Sequence, residues 1–220
     1  MEERATGIVV RVRPLTESSL IVHWLTEEAG RVATVAKGAR RARSPYRGRL
    51  DLFHEAAFTF RRSRRSELHG LGEVTLRTVF PQLRTDWSRL AQAAYGVLLI
   101  EKTTETDTPL PGTWGLFRAY LVHLERAAVS PLAVWSLELR HLAESGLLPG
   151  WEGGGLPESS GQLAESLLEA EWGDWPEGMP EEGVWRPLDR WLRRVLGEGV
   201  GAVPKGRAEA LGLSGAIRAS

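Results

Sequence analysis

Apolar and polar positions alternate with period two in short stretches of the first eighty residues, then recur at helical spacing, and that switch divides the chain. Ile8, Val10 and Val12 alternate with Val9, Arg11 and Arg13, the pattern of a half-buried strand that Pro14 ends. Leu20, Val22 and Trp24 form one face of a second strand, with Ile21, His23 and Leu25 on the other. Glu27, Glu28, Ala29 and Gly30 make a hairpin connection into a third strand over 31–36, Gly30 being able to take a positive φ. A fourth strand is expected from Leu50 to Phe60, where Leu50, Leu52, His54, Ala56, Phe58 and Phe60 alternate with the residues between them. Leu68 to Leu76 supplies a fifth, weakened by Gly70 and Gly72. Five short strands suit a small closed barrel such as the OB-fold, which leaves few open edges.

Pro81 marks the change of period. Leu83, Trp87, Leu90, Ala94, Val97 and Leu98 trace one helical face from Gln82 to about Lys102. Thr113 can cap a helix whose apolar face is Leu116, Phe117, Tyr120, Leu121 and Leu124. Ser130-Pro131 starts a helix apolar on more than one face, as expected at the centre of a bundle, and Gly146 stops it. A short helix over 162–172 and a last one opened by Pro187 complete the pattern. The expected fold class is α+β: a five-stranded OB-fold barrel over 1–80, followed by an all-helical bundle over 81–220.

Charge sharpens this division. The formal net charge is zero, yet residues 1–80 carry 15 Lys+Arg against 9 Asp+Glu, and residues 81–220 carry 13 against 19. Between residues 31 and 65 there are eleven basic side chains and two acidic ones. Lys37, Arg40, Arg41, Arg43, Arg47 and Arg49 follow the third strand with no acid among them, so that segment must be solvated or neutralised by an anion. Arg61, Arg62, Arg64 and Arg65 make a second basic turn, and the two would flank one groove fit for a phosphate backbone. Tyr46, inside the first basic segment, is the aromatic best placed to stack on a base, whereas Trp24, Phe53, Phe58 and Phe60 sit at core positions.

Other chemistries are weakly represented. With no cysteine there is no disulfide, thiol nucleophile or thiolate-bound metal. His141 and Glu144 sit three apart on a helix, and His123 neighbours Glu125, but no third ligand follows a recognised motif and a polar helix face is the default. No phosphate-binding Gly-Lys-Ser/Thr loop occurs, and Ser44, Ser63 and Ser66 lack a nucleophile-elbow context. No cofactor, metal or catalytic residue is expected. The first ten residues lack the pattern of a signal peptide, and the longest apolar stretch, 93–100, is far short of a membrane span, so a cytoplasmic protein is expected.

Residues 17–43, ESSLIVHWLTEEAGRVATVAKGARRAR, resemble the signature of the RecO family, bacterial mediators of DNA repair and recombination. The family's pattern is an acidic-Ser entry, a strand ending in Thr-Glu, a Gly-Arg turn and then Ala-Lys-Gly-Ala-Arg before a basic loop. Arg49-Leu50-Asp51-Leu52-Phe53 matches its Leu-x-x-Phe element, and a weaker likeness runs through Tyr95, Leu116-Phe117 and Leu137-Glu138-Leu139 to Gly146-Leu147-Leu148-Pro149. The resemblance implies a non-enzymatic, nucleoid-associated protein that binds single- and double-stranded DNA through the barrel, with Arg31, Lys37, Arg40, Arg41, Arg43, Arg47 and Arg49 in its groove. It also implies the partners RecR and the tail of the single-stranded-DNA-binding protein SSB, strand annealing, and help in loading RecA. The SSB tail needs an apolar slot beside a cation, for which Trp135, Leu139, Arg140 and Arg118 are the candidates. Many family members carry a four-cysteine zinc site just after the central helix. Here 150–185 has no cysteine, and Trp151, Trp172, Trp175 and Trp185 are expected either to organise it as buried indoles or to leave it looser. The alternatives are an RNA-binding OB-fold protein and a hydrolase using His141 and Glu144.

Overall fold

The computed structural model describes residues 2–151, 155–175 and 178–212, so parts of the two loops expected near 150–161 and 173–183, and the tail beyond 212, lie outside the described residues. The chain forms two compact units. The first comprises residues 1–80 and 105–118, the second 81–104 and 119–220. The sequence pattern divided the chain once, at Pro81, and gave no sign that 105–118 joins the barrel unit.

In the first unit, β1 (Glu2–Pro14), β2 (Leu20–Thr26), β3 (Gly30–Ala36), β4 (Glu55–Arg61) and β5 (Leu68–Thr78) close into a barrel in the order β1-β2-β3-β5-β4, the OB-fold arrangement. Only β3 and β5 run parallel, pairing Ala33 with Leu68 and Val35 with Gly70. The interior holds Val9, Val22, Trp24, Val32, Ala36, Phe58, Phe60 and Val74, with Trp24 stacked on Phe58 at 4.2 Å. Polar groups inside it are bonded: Trp24 Nε1 donates to Thr34 Oγ1 at 2.8 Å, and Thr34 Oγ1 to Val22 O at 3.3 Å.

Two strand expectations change. β1 is longer than its alternation suggests and carries a bulge, since Val9 pairs with Trp24 and Arg11 with His23. The extra residue, Val10, reverses the side-chain parity, so Ile8 and Val12 point to opposite sides instead of sharing a face. The fourth strand begins at Glu55, not Leu50. Phe53 stands at φ 63, a left-handed conformation that a strand cannot contain, and residues 51–54 form a turn closed by His54 N–H to Asp51 O at 3.1 Å. That turn docks on the bulge, with Phe53 N–H donating to Val9 O at 2.8 Å and Val9 N–H to His54 O at 2.9 Å. The apolar alternation of 50–53 reflects burial of Leu50 and Phe53 within a turn.

The second unit is helical. Its elements are α1 (Gln82–Thr85), α2 (Trp87–Thr103), the later turns of α3 (Pro111–Arg126), α4 (Pro131–Glu144), α5 (Glu158–Glu169), α6 (Glu182–Val200) and α7 (Arg207–Leu211). The single helix expected from Gln82 is two, because Asp86 is extended and its carboxylate accepts from Ser88 N–H and Arg89 N–H, which restarts the helix. Helix α3 begins at Pro111, with Thr113 buried inside it, and α6 begins five residues before Pro187. Ser130 caps α4 as expected, accepting from Leu132 N–H, and Gly146 takes φ 68 beyond its end.

Helix α4 is the centre of this unit, with ten of its fourteen residues buried. One of them is Glu138, and its charge is met from the far end of the chain. Arg207 donates from Nε to Glu138 Oε1 at 2.7 Å, from Nη2 to Oε2 at 2.8 Å, and from Nη1 to Asp189 Oδ1 at 2.7 Å. Trp135 Nε1 adds a bond to Asp189 Oδ1 at 3.0 Å, and the Tyr95 hydroxyl bonds Glu138. Burial and the neighbouring carboxylate push the Tyr95 phenol well above its ordinary range, and two carboxylates hold the Arg207 guanidinium charged against its own burial.

Candidate nucleic-acid interface

The basic segment after β3 is a chain of tight turns. Ala39 N–H bonds Ala36 O, Arg41 N–H bonds Gly38 O, Ser44 N–H bonds Arg41 O, Arg47 N–H bonds Ser44 O and Arg49 N–H bonds Tyr46 O, all within 3.0–3.3 Å. Gly38 and Gly48, at φ 72 and 70, supply the left-handed steps. Three side chains pin this run. Ala39 and Tyr46 pack on the barrel interior and Leu50 is part of it. The Tyr46 hydroxyl lies 3.1 Å from Leu71 O and 3.0 Å from Gly72 O on β5, and burial raises its pKa. Tyr46 is therefore an anchor with a half-buried ring.

The cations turn outward. Lys37, Arg40, Arg41, Arg43, Arg47 and Arg49 are all exposed, and among the described residues none of them is in an ion pair. Arg40 Nη1 donates to Thr16 O at 3.0 Å and Arg49 Nη1 to Val74 O at 2.7 Å, contacts that orient the guanidinium and leave its charge intact. Lys37, Arg41, Arg43 and Arg47 project as an exposed fringe from a hydrogen-bonded backbone. Their mutual repulsion is borne by the apolar anchors beneath them.

The face beside this fringe is the outer side of β2 and β3. Burial alternates along β3, so that Arg31, Ala33 and Val35 face out while Val32, Thr34 and Ala36 face in. Register places Ile21 beside Val35 and His23 beside Ala33. The bulge in β1 adds two cations that the sequence pattern did not single out, Arg11 paired with His23 and Arg13 with Ile21. Single-strand alternation groups Arg11 with Arg13 but does not show that they flank His23 and Ile21 on β2. A surface of small and aliphatic side chains edged by arginines can take unstacked bases along its middle and phosphates along its rim.

The two basic turns lie at opposite ends of this face. Lys37 follows the last residue of β3, while residues 62–67 precede β5, whose first residues pair with the middle of the parallel β3. Arg31 belongs to the second end, six residues from Lys37 and so about 20 Å along the strand. There its carbonyl accepts from Asp107 N–H at 2.9 Å, and a parallel bridge joins it to Thr106. Asp107, at φ 57, also bonds Arg62 Nη1 at 2.7 Å and His69 Nε2 at 3.2 Å. Arg62 bonds Glu3 as well, at 2.9 Å, so of the second turn only Arg61, Arg64 and Arg65 keep uncompensated charge.

The four residues expected to hold the SSB tail do not form a slot. Trp135 and Leu139 are fully buried, Trp135 bonded to Asp189 and stacked on Trp185 at 5.8 Å. Arg140 donates to Leu167 O at 3.1 Å and to Ala170 O at the end of α5, and covers the Trp172 ring at 4.7 Å. Arg118 lies in the barrel unit, its Nε 3.0 Å from the buried Glu55 carboxylate. An all-round apolar helix at the centre of a bundle has no face left for a partner. Of the four tryptophans in 150–185, only Trp185 is buried; Trp151, Trp172 and Trp175 are half-buried, Trp151 edge-on to Trp191 and the other two around His123.

His141 and Glu144 are not a dyad. His141 is buried with Nε2 at 2.6 Å from Thr103 Oγ1, and burial lowers its pKa to about 4, whereas Glu144 is exposed. Among the described residues no three His, Cys, Asp or Glu side chains gather as a metal site, and no helix is long and apolar enough to cross a membrane.

Comparison with known proteins supports the reading built on the barrel. Residues 1–80 match the family model described as recombination protein O, N terminal. The chain is 34% identical over 146 residues to the DNA repair protein RecO of Anaeromyxobacter dehalogenans, covering 66% of this chain and 58% of that protein. It is 38% identical over 151 residues to the RecO of Gloeobacter violaceus, and 28% identical over 153 residues to that of Syntrophus aciditrophicus, covering 56% and 59% of those proteins. The aligned region thus spans less than two thirds of the length of the curated relatives it matches. Residues 1–80, the barrel strands, thus match the recombination protein O N-terminal family model, and the chain that carries them is similar, over about two thirds of its length, to RecO DNA repair proteins.

Proposed function

We propose that this protein acts in DNA repair and recombination by holding DNA on the outer face of β2 and β3, and that it anneals complementary strands without catalysing a covalent reaction. The observation that carries the proposal is the pinned loop of 37–49, whose six exposed cations form no ion pair among the described residues and edge a face of small side chains. Strands approaching each other repel through their phosphates, and such an edge lowers that repulsion and raises their encounter rate. Base pairing then supplies the free energy, so neither a nucleotide nor a divalent cation is required.

The resemblance of residues 17–43 to the RecO family extends the proposal to assembly with RecR and SSB and to loading of RecA on SSB-coated DNA, in the cytoplasm where the nucleoid lies. If SSB binds, it does so elsewhere than on Trp135 and Leu139.

Four outward cations on a single strand give a slope of log K against log salt near −3, because each phosphate contact contributes about −0.7. Replacing Arg41, Arg43 and Arg47 together with Ala brings the slope to about −1 and weakens all sequences alike. Fluorescence anisotropy with a labelled oligonucleotide measures both. An unchanged slope moves the interface away from this loop. Annealing of labelled complementary strands in EDTA without ATP completes the test, and a rate no faster than without protein refutes the annealing role. Equal-length RNA as competitor separates this reading from an RNA-binding protein.

A further inference from the structure

We propose that the hollow beside the start of β3 is a receptacle for one unstacked nucleobase bearing an exocyclic amino group, such as cytosine. The inference rests on the reading that the β2–β3 face holds single-stranded DNA, and names what one end of that face recognises. The hollow encloses about 350 Å³, and His23, Arg31, Ala33, Glu67, Leu68 and Asp107 are among the residues that line it. Its walls come from paired strands, since Ala33 is the register partner of both His23 and Leu68. It therefore opens on the face that carries Ile21 and Val35, at the end opposite the fringe of 37–49.

The lining suits a base better than a phosphate. Two carboxylates, Glu67 and Asp107, face a space that a phosphate would share with them only against like charge. A base edge presents both donors and acceptors. A carboxylate accepts from the cytosine N4 amino group, a guanidinium or imidazole donates to a ring carbonyl, and Ala33 and Leu68 offer apolar surface to the ring plane. Thymine has no amino group to give the carboxylate. Asp107 already bonds Arg62 and His69, so Glu67, exposed on its turn and in no ion pair among the described residues, is the acceptor with capacity to spare. A paired duplex keeps its amino groups in base pairs, so the site selects for an unpaired strand.

The site is also held in shape before any ligand arrives. Asp107 occupies a left-handed conformation that a non-glycine residue keeps only when its surroundings over-determine it. Here they do so through Arg62, His69 and the Arg31 carbonyl. Gly30 lets the segment approach this closely, since a Cβ there would stand 1.7 Å from Thr108 O.

The test is anisotropy of dT oligonucleotides in which a single residue at each position in turn is replaced by dC. For the unaltered protein, at least one position is expected to gain about tenfold in affinity at constant salt slope, the worth of one good base-edge contact. Glu67→Ala, which removes the acceptor from an exposed turn, should erase the gain. Ala33→Phe, which fills the hollow from the outer face of β3, should also erase the difference between dC and dT. Oligonucleotides that bind with the expected salt slope but show no dC gain at any position overturn the receptacle alone, as does a gain that survives both substitutions. Failure of every oligonucleotide to bind overturns it together with the DNA-binding reading.

Discussion

Replacing Arg207 with Met tests how the helical unit is held. The side chain is 4% exposed and bridges Glu138, itself 0% exposed, to Asp189. Met keeps most of the volume and removes both ion pairs, leaving two carboxylates buried with Tyr95 and Trp135 as their remaining donors. Breaking a buried pair by removing one partner costs about 3–5 kcal/mol, because the charge left behind stays desolvated. Against a total stability of about 5–15 kcal/mol, that is a large fraction for a substitution at the start of a five-residue helix. Urea unfolding followed by tryptophan fluorescence is the appropriate assay, since seven of the nine tryptophans lie in the second unit. The midpoint should fall by the equivalent of about 3 kcal/mol or more at pH 7. The triple variant Arg207→Met, Glu138→Gln, Asp189→Asn should recover much of the loss, since it removes the stranded charges as well. A loss under about 1 kcal/mol for the single variant, at the level of a surface pair, would show that the cluster is a consequence of the fold and not a cause of it.

Two further outcomes follow from other sites. His141 is held neutral by burial, with its pKa lowered to about 4 from 6.5; the unfolded chain therefore binds the extra proton first, so its contribution is intact above pH 6.5 and is lost as pH falls toward 4, by about 3 kcal/mol in all. Urea midpoints measured from pH 7 to pH 4 should show this fall, and His141→Gln should flatten it; an unchanged pH profile in the variant would assign the loss to other groups. Gly30→Ala forces a Cβ against Thr108 O and must adopt φ 66, so a loss of about 2 kcal/mol or more is expected in thermal unfolding of the barrel unit, and a variant as stable as the parent would mean that residues 105–108 shift at little cost.

The barrel was legible in the sequence because its strands are half-buried and alternate, and because the glycine and basic turns are local signals. The Leu50 register was misread since a buried turn and a buried strand expose the same residue types, and only the positive φ of Phe53 distinguishes them. The cationic fringe could be named from composition, but its anchoring through Tyr46 and the contribution of Arg11 and Arg13 required partners on β5 and β2 that no local pattern encodes. In the helical half, the apolar spacing of α4 disclosed a central helix while concealing that this very burial rules it out as a docking surface. Arg207 drew no attention, because a lone arginine near a Gly- and Ala-rich tail has no sequence mark of the carboxylates 69 and 18 residues away that it meets.

The segment 105–118 bears on how the molecule can be made. On the ribosome, residues 1–80 emerge with every strand of the barrel, yet three of its polar groups gain a partner only later: the Glu55 carboxylate meets Arg118, and Arg62 and His69 add Asp107 to the contacts they make with Glu3 and the Ser63 N–H. Helices α1 and α2 are synthesised in between and belong to the other unit. The chain thus passes from one folding nucleus to the other and back before either is finished, so a fragment cut at the family boundary at residue 80 is a barrel with its clasp missing, and excision or transplantation of the module should extend to residue 118.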